Sequence, residues 1–176
     1  MDSVGKAVPS DKHPTAHLGS ASATDEAYDI RILADGTWTY HGSPIARPAL
    51  VKLFASVLRR DEAGDYWLIT PAEQGRITVD DAPFVAVEVS ASGAGAGAVL
   101  TFRTNLGDQV TAGPDHPIRV AFDDETAAPR PYVTVRDGME ALIARSVFYV
   151  LADRAVEKHG KLGVWSAGCF FPLEQS

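Results

Sequence analysis

Residues 28–70 read YDIRILADGTWTYHGSPIARPALVKLFASVLRRDEAGDYWLIT, and their patterning sets the fold class. Residues 28–33 and 37–42 alternate apolar and polar side chains about Asp35-Gly36, and an Asp-Gly pair between alternating runs predicts a hairpin. The period then changes. Leu50, Leu53, Phe54, Val57 and Leu58 fall on one helical face, and Pro48 suits a first helical turn. Arg59 and Arg60 complement the negative end of the helix dipole before the DEAG turn. A strand returns at residues 65–70. Thr70-Pro71-Ala72-Glu73 has capping-box spacing and predicts a single helical turn, stopped by Gly75.

Working outward, RITV, FVAVEV, AVLTFR, DQVTA, PIRVAF and PYVTV between Arg76 and Val135 are short, β-branched and separated by turn residues, which predicts strands. SASGAGAGA at 90–98 offers little side chain to pack and reads as a mobile hairpin loop. A long second helix is expected next. Asp137 would cap it with Glu140 three positions on, and Met139, Leu142, Ile143, Val147, Val150 and Leu151 would form its stripe. Lys158-His159-Gly160 suits its end, and LGVWSAGCFF a closing strand.

The two segments share an order of parts. Ile45-Ala46-Arg47 precedes the first helix and Gly64-Asp65-Tyr66-Trp67 follows it; Val135-Arg136 precedes the second and Gly163-Val164-Trp165 follows. Duplication and generic β-α-β design both account for this. The expected fold is α+β, with two related subdomains of mainly antiparallel sheet, each packed by one amphipathic helix. The expected boundaries are a disordered tail at 1–24, an N-terminal subdomain at 25–79 and a β-rich C-terminal one at 80–176.

Composition narrows the function classes. Of 176 residues 45% are hydrophobic and 22% charged, which fits a globular core, and the net charge is −7. That balance argues against a broad nucleic-acid or anionic-membrane surface and leaves local basic pockets open. No apolar run reaches the ~18 residues of a membrane span. The opening residues lack the apolar run of a signal peptide, so a cytoplasmic protein is expected.

Catalytic signatures are not found. Cys169 is the lone cysteine and lies in an apolar strand pattern, where a thiol packs as a small hydrophobe. The histidines lack paired ligand spacing, and Asp80-Asp81 and Asp123-Asp124-Glu125 lack the alternation of a calcium loop, so no metal or cofactor is called for. The glycines at 93, 95 and 97 precede a strand, whereas a phosphate loop needs a helix start. What remains is a set of polar residues at element ends: Arg47, Thr70, Glu73, Thr104, Asn105, His116, Arg119 and Arg136. Arg47 and Arg136 would stand at matching helix entrances, where a guanidinium fork suits a carboxylate or phosphate. Each of the others also has an ordinary reading as a cap, a turn or a loop end.

The stretches DGTWTYHGSPIARPALVKLFASVLRRD, YWLITPAE, TNLGD, HPIRV and PYVTVRDGMEALIAR resemble an uncharacterised bacterial domain-of-unknown-function family over roughly residues 28–171. The resemblance implies a duplicated α+β core, a C-terminal part loosely like a pleckstrin-homology fold, a nucleotide-type ligand between the halves and a role near signal transduction. Together the residues and the resemblance lead to a non-enzymatic binding or sensor protein for a small anionic, nucleotide-like molecule. A protein-interaction module is the alternative, using a strand edge or the groove beside the last helix. A hydrolase using its carboxylates and His116 is a third.

Overall fold

The structure, a computed structural model, describes residues 27–175; the expected tail lies outside the described residues. The first half opens with a meander of β1 (Ala27–Ile32), β2 (Trp38–Tyr40) and β3 (Ser43–Pro44). Helix α1 (Pro48–Ser56) crosses to a second meander of β4 (Leu58–Arg60), β5 (Tyr66–Ile69) and β6 (Gln74–Val79). The six strands make one sheet in the order β3-β2-β1-β6-β5-β4, antiparallel except where β1 meets β6. The second half repeats this wiring. Its meanders are β7 (Phe84–Ser92), β8 (Val99–Thr104), β9 (Gln109–Thr111) and β10 (Ile118–Phe122), β11 (Pro129–Arg136), β12 (Met139–Ile143). They join through a parallel β7–β12 pair in the order β10-β11-β12-β7-β8-β9.

The halves are therefore related, within the expected α+β class, but the helices are placed differently. In the second half residues 112–117 make the crossover without a helix, and α2 (Arg145–Asp153) comes after β12. A three-stranded sheet of β13 (Val156–Lys158), β14 (Lys161–Ser166) and β15 (Cys169–Pro172) closes the chain. Buried Ser166 ties it down, accepting from Leu100 N at 2.9 Å and donating to Ala112 O at 2.7 Å. One hydrophobic core runs through both halves, from Ile32, Trp38 and Leu58 to Phe84, Val133 and Leu151.

The expected long helix is two elements. Asp137 and Gly138 both have positive φ, 48° and 72°, the signature of a two-residue hairpin turn, so residues 139–143 return as strand. The sequence MEALI fits both periods: Met139, Leu142 and Ile143 fit a helix, while Met139, Ala141 and Ile143 fit a strand and are the buried set. His159-Gly160 repeats this turn, so the glycine read as a helix cap joins β13 to β14. Ala167-Gly168 likewise splits the expected final strand. Val147 and Leu151 are buried on α2 as expected.

Helix α1 ends at Ser56, one turn earlier than its apolar spacing suggested. Leu58 enters β4 and is buried, while Leu53 is 60% exposed and does not face the core. Thr70–Glu73 is no helical turn either. Thr70 N donates to Glu73 O at 2.9 Å and closes the β5–β6 hairpin, because strand pairing resumes at once with Ile69 opposite Gln74. The glycine-rich loop holds a single 3-10 turn, Gly95–Gly97, and is anchored by Ala167 N donating to Ala98 O at 3.0 Å. Cys169 is half-buried.

Turns carry their own carboxylates. Asp35 accepts from Thr37 N and Asp61 from Trp67 Nε1, each at a distance near 2.9 Å. These bonds, Thr37's backbone for one and Trp67's indole for the other, hold both carboxyls below the usual range. The stabilisation is therefore present above the ordinary carboxylate pKa and is lost as pH falls through the lowered one.

Two glycines separate backbone strain from crowding. Both Gly36 and Gly138 have positive φ, but a Cβ on Gly138 meets nothing within 4 Å, whereas one on Gly36 meets Asn105 Nδ2 at 2.8 Å and Val85 Cγ2 at 2.9 Å. Gly138→Ala is expected to cost about 1–2 kcal/mol and Gly36→Ala distinctly more in denaturant unfolding. Equal losses would show that the second half does not press on Gly36.

Candidate functional site: the cleft between the halves

Arg136 ends β11 and crosses into the first half. Its Nη2 donates to Ala55 O at 2.5 Å and its Nη1 to Leu58 O at 3.4 Å, so the guanidinium caps the last turn of α1 from outside. A helix leaves its final carbonyls without internal partners and carries partial negative charge there, which a fork of N–H donors answers. The tie is reciprocal, because Arg60 of the first half donates from Nη1 to Gly138 O at 3.0 Å. A third joint lies at the β8–β9 turn. Asn105 Oδ1 accepts from Val85 N at 3.0 Å, and its Nδ2 lies 3.5 Å from Gly36 O.

These joints leave a cleft of about 460 Å³, lined by Lys52, Ala55, Ser56 and Arg59 of α1 and its exit, Leu106 and Asp108 of the β8–β9 turn, and Arg136 and Asp137. That volume is within the range of small-ligand sites. Three cations and two carboxylates line it, a local excess of one positive charge in a chain of net charge −7. Arg136 is held by the carbonyls of Ala55 and Leu58 and stands 3.6 Å from Asp137 Oδ2. Arg59 Nη1 donates to Ser56 O at 3.2 Å and Leu58 O at 2.7 Å. Lys52 differs. It reaches across the cleft, its Nζ 3.9 Å from where a Cβ on Gly107 would sit, and it has no ion pair or hydrogen bond among the described residues. Ser56 Oγ donates to Leu53 O at 2.6 Å.

The structure gathers few of the residues expected to share a site. Arg136 lines the cleft, but it precedes a hairpin and not a helix. Arg47 is exposed at the N-cap of α1, the opposite end of a nine-residue helix that Arg136 caps at its C-terminus. The two arginines are thus separated by about 13 Å of helix and do not converge. Thr70 and Glu73 belong to the β5–β6 turn, where Glu73 N donates to Thr70 Oγ1 at 3.1 Å. Thr104 is buried and holds the β8–β9 turn, its Oγ1 accepting from Leu106 N and Asp108 N. Asn105 is a joint between the halves. His116 Nδ1 donates to Thr134 O at 3.0 Å, which assigns the proton to Nδ1, since a carbonyl only accepts.

Arg119 is committed elsewhere. It makes a bidentate pair with Glu140 at 2.7 and 2.8 Å and lies over the Tyr132 ring, 4.4 Å from its centroid. The Glu140 bonds raise its pKa further. Tyr132 in turn donates to Asp81 Oδ1 at 2.7 Å, and Arg130 to Asp81 Oδ2 at 2.6 Å. Burial first, then the Asp81 bond, pushes the Tyr132 phenol up. Among the described residues, no three His, Cys, Asp or Glu side chains group to hold a metal ion. Sequence reasoning missed Lys52, Arg59, Asp108 and Asp137 as cleft residues. Their one local signal was charge at the end of an apolar helix and beside the glycine turns.

This arrangement defines a class: a two-half α+β protein whose repeated sheets are jointed by arginine and asparagine contacts around a polar cleft. The chain belongs to the DUF1285 family. Residues 21–82 match the model described as its N-terminal domain of unknown function, and residues 83–173 the C-terminal domain, meeting between β6 and β7. The chain is 52% identical to a DUF1285 family protein of known structure from Silicibacter pomeroyi DSS-3, with a TM-score of 0.82, covering 85% of this chain and 81% of that one. A DUF1285 family protein from Shewanella baltica OS155 is 26% identical with a TM-score of 0.55, over 72% and 92%. No curated protein matches the chain.

Asn105→Ala should leave the Val85 N–H without its side-chain acceptor and cost about 1–3 kcal/mol in chemical denaturation. Arg47→Ala, exposed at the far end of α1, should stay within about 0.5 kcal/mol of wild type. The reverse ranking would mean that the joint has been misplaced.

Proposed function

We propose that this chain is a cytoplasmic, non-enzymatic binding protein for a small anionic molecule of nucleotide-like size, held in the cleft between its halves, with a role in signalling. The observation that carries the reading is Lys52, a cation without a counter-ion among the described residues, in a cleft whose other two cations are already fixed on backbone carbonyls at the exit of α1. An anionic group would meet the Lys52 ammonium and the outer N–H groups of Arg59. Asp108 and Asp137 on the opposite wall suit hydroxyl or amino donors of the same ligand, which favours a polyol monophosphate over a bare polyanion. A binding role is favoured over catalysis because, among the described residues, no histidine or cysteine lines the cleft and its serine hydroxyl is spent on Leu53 O. Signalling is supported by position, since a ligand here touches both α1 and the hairpin that caps it, and so favours one relative placement of the halves.

A second reading, as a protein-interaction module, is favoured by a different groove. Ile30, Tyr40, Pro44, Ile45, Leu50 and Phe54 line an apolar groove of about 470 Å³ beside α1, with Tyr40 53% exposed on its rim. It lies beside the first helix and would take an apolar helix face of a partner.

Isothermal titration with nucleoside monophosphates tests the first reading. Lys52→Ala should weaken binding by about 10-fold to 150-fold, as loss of one charge-assisted bond implies. Its unliganded melting temperature should be unchanged. Absence of saturable binding, or binding indifferent to Lys52, would contradict it.

A further inference from the structure

A second groove opens at the other end of β11, roughly 23 Å along the strand from the cleft. It encloses about 460 Å³ between the β10–β11 loop, the end of β12 and the first two turns of α2. Its walls are largely apolar: Pro129 and Pro131 on the strand, Leu142 below, and Phe148 and Tyr149 on the helix. Tyr149 is 58% exposed, so an aromatic face is offered to solvent and not to the core.

Two arginines stand in this apolar setting with different duties. Arg130 is immobilised by Asp81 at 2.6 Å and by the Tyr132 hydroxyl at 3.3 Å, so its charge is already answered. Arg145 has no hydrogen bond or ion pair among the described residues and is exposed. Nor does it serve its own element, because it is the first residue of α2, where a positive charge opposes the helix dipole. The carboxylate on the groove is Asp123, whose Oδ1 accepts from Glu125 N, Thr126 N and Thr126 Oγ1 to hold the loop.

We propose that this groove is a second ligand site, taking a small monocarboxylate with a planar apolar body. The ring would lie against Tyr149 and Phe148 over the two prolines. The carboxylate would take two parallel bonds from the Arg145 fork, a geometry guanidinium and carboxylate share. Asp123 at the rim disfavours a second negative charge, so a monoanion fits where a phosphate monoester does not. The inference stands independently of the cleft, since neither Lys52 nor Arg59 lines the groove.

Titration of the full chain with phenylacetate, followed by calorimetry or amide chemical shifts, tests the proposal. Saturable binding is expected, at least about tenfold tighter than that of 2-phenylethanol, which keeps the ring without the charge, or acetate, which keeps the charge without the ring. Phenyl phosphate should also bind more weakly. Arg145→Ala should weaken phenylacetate about tenfold or more while leaving the melting temperature equal or slightly higher, because the arginine has no hydrogen bond or ion pair among the described residues and its charge opposes the helix dipole. Lys52→Ala should leave phenylacetate binding unchanged. No saturable binding, equal binding of the neutral alcohol, or indifference to Arg145 would each overturn the assignment.

Discussion

The structure depends on one charge crossing between halves: the Arg136 guanidinium seated on the carbonyls of Ala55 and Leu58. Helix α1 has nine residues and makes few interior bonds, so its last turn needs donors from elsewhere. Arg136 supplies them from the second half, and Arg60 returns a donor to Gly138 O from the first. The two sheets consequently share a continuous core, and Phe84 lies beneath the guanidinium at 5.7 Å from its ring centroid. What the contact joins is the exit of one half's helix and the hairpin tip of the other.

That joint also explains the character of the cleft. The cations gather where α1 exposes its negative end, so two of the three are structural first. Lys52 is the one left over, and it already spans the gap to the β8–β9 turn. A ligand in the cleft would therefore meet two cations already fixed in place before binding, so that of the three only Lys52 has still to be ordered. The groove at the far end of β11 differs, since Arg145 stands there among aromatic and proline side chains with no hydrogen bond or ion pair among the described residues.

Much of the fold was legible because local patterning agreed with tertiary demand. The β-branched runs between Arg76 and Val135 all became strands, and Val147 and Leu151 kept their helical phase. Errors arose where one pattern served two periods. MEALI fits a helix and a strand alike, and the Asp137-Gly138 turn before it decides the matter through two positive φ angles. Leu53 misled in another way, since an apolar residue on a short surface helix need not point inward. The site was far less legible. Arg136 finds its acceptors 78 and 81 residues away and Asn105 meets Gly36 across 69, so nothing local announces either contact. Matching Arg47 to Arg136 failed because the repeat lies in the strand wiring, and the helices occupy different places within it.

The central claim is that Arg136 joins the halves through the carbonyls of Ala55 and Leu58 at the exit of α1, and scanning calorimetry of Arg136→Met on the full chain tests it most directly. Methionine keeps much of the side-chain volume but removes every donor. The account predicts a loss of about 1.5–3 kcal/mol, with the melting temperature down by roughly 3–12 °C and the transition broadened or split as the halves uncouple. A single transition within about 1 °C of wild type, sharper than that loss allows, would contradict it.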